Sequence, residues 1–168
     1  TSSILAVRTS AANGFVIDGF TFRDGTIGSA AFDTRVGGGL FLDNVTGTVR
    51  NCRFLDNASN YGGGLYAISF SGLIENCLFQ GNDATVSAGG VQIGFGGTVE
   101  FSNNTLIGNT AQNGGALRAF HGSWIDVPST LAGTRLSGVV DFTVLPPPLS
   151  GSFAEYAVAA ASAAAEIG

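Results

Sequence analysis

Lysine and methionine are absent from this 168-residue chain, and histidine and tryptophan occur once each. Cysteine occurs twice and proline four times. Charged residues make up 11% of the sequence, less than half the ~25% of an ordinary globular domain. Each shortage removes a class of protein. Seven arginines against twelve acids leave a net charge of −5, so the basic face that nucleic acids and anionic membranes require is missing. One His and two Cys exclude most zinc sites and any dense disulfide scaffold. No stretch of 18 strongly apolar residues occurs, so no transmembrane segment is expected in this window. A chain without Met is expected to be a processed protein or a portion of something larger. Two Cys, low charge and no Lys fit an extracytoplasmic protein.

What the chain has is glycine, 26 residues of it, and enough apolar side chains (45%) to build a core. It also has a repeat. Gly38-Gly39-Leu40, Gly63-Gly64-Leu65, Gly89-Gly90-Val91 and Gly114-Gly115-Ala116 recur at spacings of 25, 26 and 25. A second element follows each about 16 residues on: Phe54-Leu55-Asp56-Asn57, Phe79-Gln80-Gly81-Asn82, Leu106-Ile107-Gly108-Asn109, and a degenerate Leu131-Ala132-Gly133-Thr134. Phe22-Arg23-Asp24-Gly25 is an irregular first copy. Helical repeats are longer and avoid this much Gly, and leucine-rich repeats need Leu at positions where this chain lacks it. Short alternating apolar runs between Gly, Asn and Asp read as strands and turns. Three short strands per coil, stacked coil on coil, make a parallel β-helix.

Aligning the copies gives columns that should stack. Phe22, Phe54, Phe79 and Leu106 form an inward apolar ladder. Asn57, Asn82 and Asn109 follow three residues later, and Asn51, Asn76 and Asn103 precede by three. Both Asn columns are expected to be turn ladders, since Asn tolerates the left-handed conformation and stacked amides bond one another. Cys52 and Cys77 share a column with Phe20 and Asn104. They read as two small buried hydrophobes. A disulfide between rungs is the other reading, disfavoured by parallel Cβ vectors. Four residues before the Phe, Asp18, Arg50 and Glu75 alternate in sign, and an Arg50–Glu75 pair is expected.

The paired GG-[apolar] and F-x-x-N elements resemble the repeats of polymorphic outer membrane proteins, found in autotransporter adhesins and other bacterial surface proteins. The likeness covers about residues 1–134. Only Gly114-Gly115-Ala116 has the Ala that often follows GG there, and the last F-x-x-N has lost both named residues. The resemblance implies a right-handed parallel β-helix and roles in adhesion, surface display or assembly, at a bacterial cell surface or after secretion. Five or six coils are expected.

No catalytic set emerges. Pectin-cleaving hydrolases of this fold resemble one another in N-T-D, D-D, G-H-G and R-I-K motifs, of which Phe120-His121-Gly122 is a fragment without its acids. Asp24 and Asp56 share a column and could pair as acids or bind Ca²⁺, but Asp at such a corner is first a turn former. No metal site and no cofactor are expected. The segments after the Asn57 column, Thr26 to Val36, Ala58 to Tyr61, Asp83 to Ala88 and Thr110 to Asn113, read as variable loops on one edge. Phe32 and Arg35 on the longest are candidate partner contacts.

After Val139–Leu145, a last strand, Pro146-Pro147-Pro148 breaks pairing and begins a linker over 146–152. Ser152-Phe153-Ala154-Glu155 is a capping-box signature. Residues 153–168 then read as a short Ala-rich α-helix. Phe153, Tyr156 and Ile167 lie on one apolar stripe, an element for docking on a second chain or capping an end of its own solenoid. The whole reads as a non-enzymatic structural or surface protein, adhesin-like or an assembly subunit. A carbohydrate-binding or polysaccharide-cleaving module is the alternative, and an accessory subunit held by the C-terminal helix a third.

Overall fold

A computed structural model describes residues 4–8, 13–27 and 36–119 of the chain. Its first coil holds β1 (Leu5–Arg8), β2 (Asn13–Asp18) and β3 (Thr21–Arg23). The second holds β4 (Leu40–Asp43), β5 (Thr46–Arg50), β6 (Arg53–Leu55) and β7 (Ala58–Tyr61). The third holds β8 (Leu65–Ile68), β9 (Ser71–Glu75), β10 (Leu78–Gln80) and β11 (Asp83–Ser87). The fourth holds β12 (Val91–Ile93), β13 (Val99–Ser102), β14 (Thr105–Ile107) and β15 (Thr110–Asn113), and β16 (Leu117–Ala119) opens the next. No helix occurs among the described residues.

Every pairing is parallel and joins a strand to its counterpart one coil away. Four sheets result, in the orders β1-β4-β8-β12-β16, β2-β5-β9-β13, β3-β6-β10-β14 and β7-β11-β15. The chain is therefore a parallel β-solenoid, with three complete turns between β4 and β16. Coils beyond these, the strand over 139–145 and the helix over 153–168 lie outside the described residues, as does the linker.

Strands this short must turn sharply, and each corner is made by one residue with positive φ. Asn51, Asn76 and Asn103 turn the second sheet into the third with φ of 53°, 52° and 52°. Asp56, Gly81 and Gly108 turn the third into the fourth, and Gly37, Gly62, Ala88 and Gly114 turn the fourth into the first. Only Gly, Asn and Asp visit this region routinely, which is why they recur at fixed offsets. The Gly-Gly pairs answer a second demand. A Cβ on Gly38 would sit 2.5 Å from the carbonyl oxygen of Gly63, and one on Gly63 2.5 Å from that of Gly89. Backbone packs on backbone there.

The interior is filled by like stacked on like. Leu40, Leu65 and Val91, then Val49, Ile74 and Phe101, are buried completely. Phe22, Phe54 and Phe79 stack nearly parallel, with ring centroids 5.0 and 4.6 Å apart. Offset stacking of this kind adds ~0.5–1.5 kcal/mol per pair beyond area burial.

Three expectations are corrected. The coil has four strands rather than three. The segments Ala58 to Tyr61, Asp83 to Ala88 and Thr110 to Asn113, read as loops, supply the strands of the fourth sheet, because their backbones also pair rung to rung, with Asp83 opposite Ala58 and Thr110, while residues 28–35 of the longest segment lie outside the described residues. Their unequal lengths are absorbed by a register shift in β11 between Ala84 and Ser87. Finally, the last GG copy is displaced by one residue. Val91 pairs with Leu117, so Gly115-Ala116 stands where Gly89-Gly90 stands above. A one-residue slip would turn Leu117 away from the core against which it packs.

Candidate functional site

The two Asn columns have different fates. Asn57, Asn82 and Asn109 are fully buried beside the Phe stack. Asn57 Nδ2 donates to Asn82 Oδ1 at 2.9 Å, and Asn82 Nδ2 donates to Asn109 Oδ1 at 2.9 Å. The backbone N–H groups of Asn57 and Asn82 donate to the same oxygens. Each Nδ2 also reaches a carbonyl one coil back, on Phe22, Phe54 and Phe79 in turn. The Gly25 N–H closes the upper end on Asn57 Oδ1 at 3.0 Å. Asn51, Asn76 and Asn103, by contrast, are exposed and share a corner conformation, and Asn51 also donates its Nδ2 to Asp18 Oδ1 at 2.7 Å.

One member of a further buried corner was not legible. Asn104, fully buried, accepts the Cys77 N–H at 2.9 Å and donates to the Ile74 carbonyl at 2.8 Å. It does at the corner between second and third sheets what Asn82 does at the next. Its signal was the Asn103-Asn104 doublet in register with the cysteines. Those cysteines are free thiols, 1% and 2% exposed. Hydrogen bonding from the Cys77 thiol draws Cys52 down to about 7, with the backbone of Phe20 and Gly19 helping and burial opposing. Cys77 is pushed far up by Cys52 and by burial.

The outer face of the second sheet carries a shallow depression. Gly14, Gly47 and Gly72 lie in it with Phe15, Val16, Leu73, Thr46, Thr48, Thr98 and Glu100. Two rows cross it and a third, charged row runs beside it. Thr46, Ser71 and Thr98 form a hydroxyl row, with the Ser71 Oγ accepting the Thr98 N–H at 3.2 Å. Val16, Thr48, Leu73 and Glu100 form a mixed row, where Val16 is 59% exposed. Asp18, Arg50 and Glu75 form a charged row. Arg50 pairs with Asp18 at 2.9 Å, in place of the expected pairing with Glu75. Hydrogen bonds from Asn51 and Arg50 hold the Asp18 carboxyl below its ordinary value.

On the first sheet an outward row runs Phe41, Tyr66, Gln92, Arg118. The Phe41 and Tyr66 rings stack at 5.7 Å, and the Arg8 guanidinium lies 5.0 Å over Phe41. Burial, together with the nearby Tyr61 and Asp43, raises the Tyr66 hydroxyl above its usual range. Asp24 and Asp56 fall at corners with positive φ, and Asp24 pairs with Arg23 at 3.0 Å. Among the described residues no three of His, Cys, Asp or Glu gather as metal ligands would. His121, Phe32, Arg35, Phe153, Tyr156 and Ile167 lie outside the described residues.

A family profile described as the right handed beta helix region matches residues 3–127. The chain belongs to this right-handed β-helix family. The match includes all four sheets and both Asn columns of the β-helix, and it fixes the hand of the coil. No curated protein and no solved structure matches the chain.

Proposed function

We propose that this β-helix is a non-enzymatic surface module, adhesin-like or an assembly subunit, that presents the outer face of its second sheet to a partner. The depression on that face carries the reading. It combines exposed Val16 and half-buried Leu73 with the hydroxyls of Thr46, Thr48 and Thr98. The repeat's likeness to surface-protein repeats supports display outside the cytoplasm at a bacterial surface. Immobilised full-length chain should retain cells or matrix material, and Val16→Asp with Leu73→Asp should abolish retention while leaving thermal unfolding unchanged. Equal retention by that variant would overturn the reading.

The hydroxyl row beside Glu100 favours a second reading, a carbohydrate-binding or carbohydrate-cleaving module. Release of new reducing ends from a polysaccharide, lost in Glu100→Gln, would support cleavage. Assembly through residues 153–168 is a third proposal, carried by the sequence pattern. Deleting residues 149–168 should leave the β-helix folded and reduce the assembled mass by light scattering.

A further inference from the structure

We propose that Cys52 and Cys77 form a reversible dithiol switch, with Cys52 attacking a small-molecule disulfide and Cys77 resolving it into an inter-rung disulfide. The two residues stand directly opposite in adjacent coils: Arg50 faces Glu75 on one side of them, and Arg53 faces Leu78 on the other. The Leu78 N–H donates to the Cys52 carbonyl at 2.9 Å, which fixes the backbones side by side. Parallel strands lie ~4.8 Å apart, at the short end of the span a disulfide bridges, and the parallel Cβ vectors that disfavour a permanent bridge are what would make this one readily reduced. Both thiols adopt the same pose. Cys52 Sγ lies 3.1 Å from the Arg50 carbonyl oxygen, and Cys77 Sγ lies 3.2 Å from that of Glu75. The two sulfurs therefore take equivalent positions one coil apart.

The surroundings of the pair are unequal, and this sets the order of events. Above Cys52 lies only the first coil, where Phe20 is 60% exposed. Below Cys77 lies Asn104, buried and bonded on both sides. Fraying of β3 from β6 opens Cys52 first, while Cys77 stays covered. Hydrogen bonds favour the thiolate of Cys52 and burial favours the thiol of Cys77, so the first is the better nucleophile. The Cys52 thiolate attacks one sulfur of R–S–S–R, forming a mixed disulfide and releasing R–S⁻, which takes up the proton that Cys52 lost. Cys77 then gives up its proton and attacks the Cys52 sulfur, expelling the second R–S⁻, which is protonated in turn. Two protein thiols are oxidised and one external disulfide is reduced to two thiols. Exchange in the other direction restores the dithiol.

The test uses the full chain incubated with oxidised glutathione, then denatured, alkylated and weighed intact. The expected product lacks both alkylatable thiols and is lighter than the reduced chain by about two hydrogen masses, and dithiothreitol restores it. Cys77→Ser should stop at a glutathione adduct on Cys52. Cys52→Ser should be modified at least tenfold more slowly. Two thiols still alkylatable in the treated wild-type chain would overturn the proposal without reference to any variant. Equal modification of the two variants, both shown folded by circular dichroism, would overturn the assigned order.

Discussion

Asn82 and Asn76 are the same residue, each three positions from Phe79, and each recurs in the coils on either side. One is buried and the other is exposed. In the Asn82 column the side chain is what the fold uses, since its amide closes the Asn57 N–H and the Phe54 carbonyl of the coil before and donates to the Asn109 amide of the coil after. At Asn76 the fold uses a conformation, φ near 52°, and leaves the side chain exposed. A recurring residue type thus marks a recurring demand without saying which demand it is. The difference is one of substitution chemistry. The first column should tolerate nothing that cannot offer both an amide donor and an acceptor, and the second should accept glycine.

Mutations can break this contrast or sharpen it. The largest effect belongs to the side chain between the two columns. Phe79→Ala empties a fully buried site between fixed neighbours and should cost ~3–5 kcal/mol in a urea melt. Asn82→Ala should cost ~1–3 kcal/mol, because the Asn57 N–H and the Phe54 carbonyl lose their partners inside the core. Asn76→Gly should stay within ~0.5 kcal/mol of wild type, while Asn76→Ala should cost ~1 kcal/mol through backbone strain alone. An Asn82→Ala melt indistinguishable from Asn76→Gly would erase the contrast. Ala88 holds a positive φ of 57° where the other coils have Gly37, Gly62 and Gly114, so Ala88→Gly should raise stability by ~0.5–1 kcal/mol. The smallest effect lies on the surface. Asp18 has its carboxyl pKa depressed in the folded state by Asn51 and Arg50. It stabilises the fold above the ordinary carboxyl value, and this is lost as pH falls through the lower folded value. Asp18→Asn should therefore lower the melting temperature slightly at neutral pH, leave the acid-side value almost unchanged, and so flatten the decline on acidification.

The period was legible because a solenoid repeats one environment, so the Phe column in the sequence is also the register in the fold, Phe22 on Phe54 on Phe79 on Leu106. Which way a column faces was less legible. Residues 51 and 57 both border corners, and only the backbone path decides that the first side chain leaves the coil and the second enters it. The fourth sheet was hidden by composition: Ala58 to Tyr61 and Thr110 to Asn113 lack the apolar alternation that signals a strand. Their pairing is imposed by the coils above and below. The depression on the second sheet was invisible for a related reason. Its members come from four coils, and no local stretch contains more than three of them in a row.

The amide ladder points one way. Each Oδ1 accepts from the coil that precedes it in the chain, and the backbone N–H and one Nδ2 hydrogen of Asn57 and of Asn82 go to the Oδ1 of the coil that follows, while the other Nδ2 hydrogen turns back to a carbonyl. A chain emerging from synthesis would therefore always carry one unsatisfied frontier, at its newest coil, and each further coil would move that frontier without enlarging it. The penalty for an open end is then the same for a short rod as for a long one. Such a rod can gain or lose whole coils by duplication with no new interface to invent.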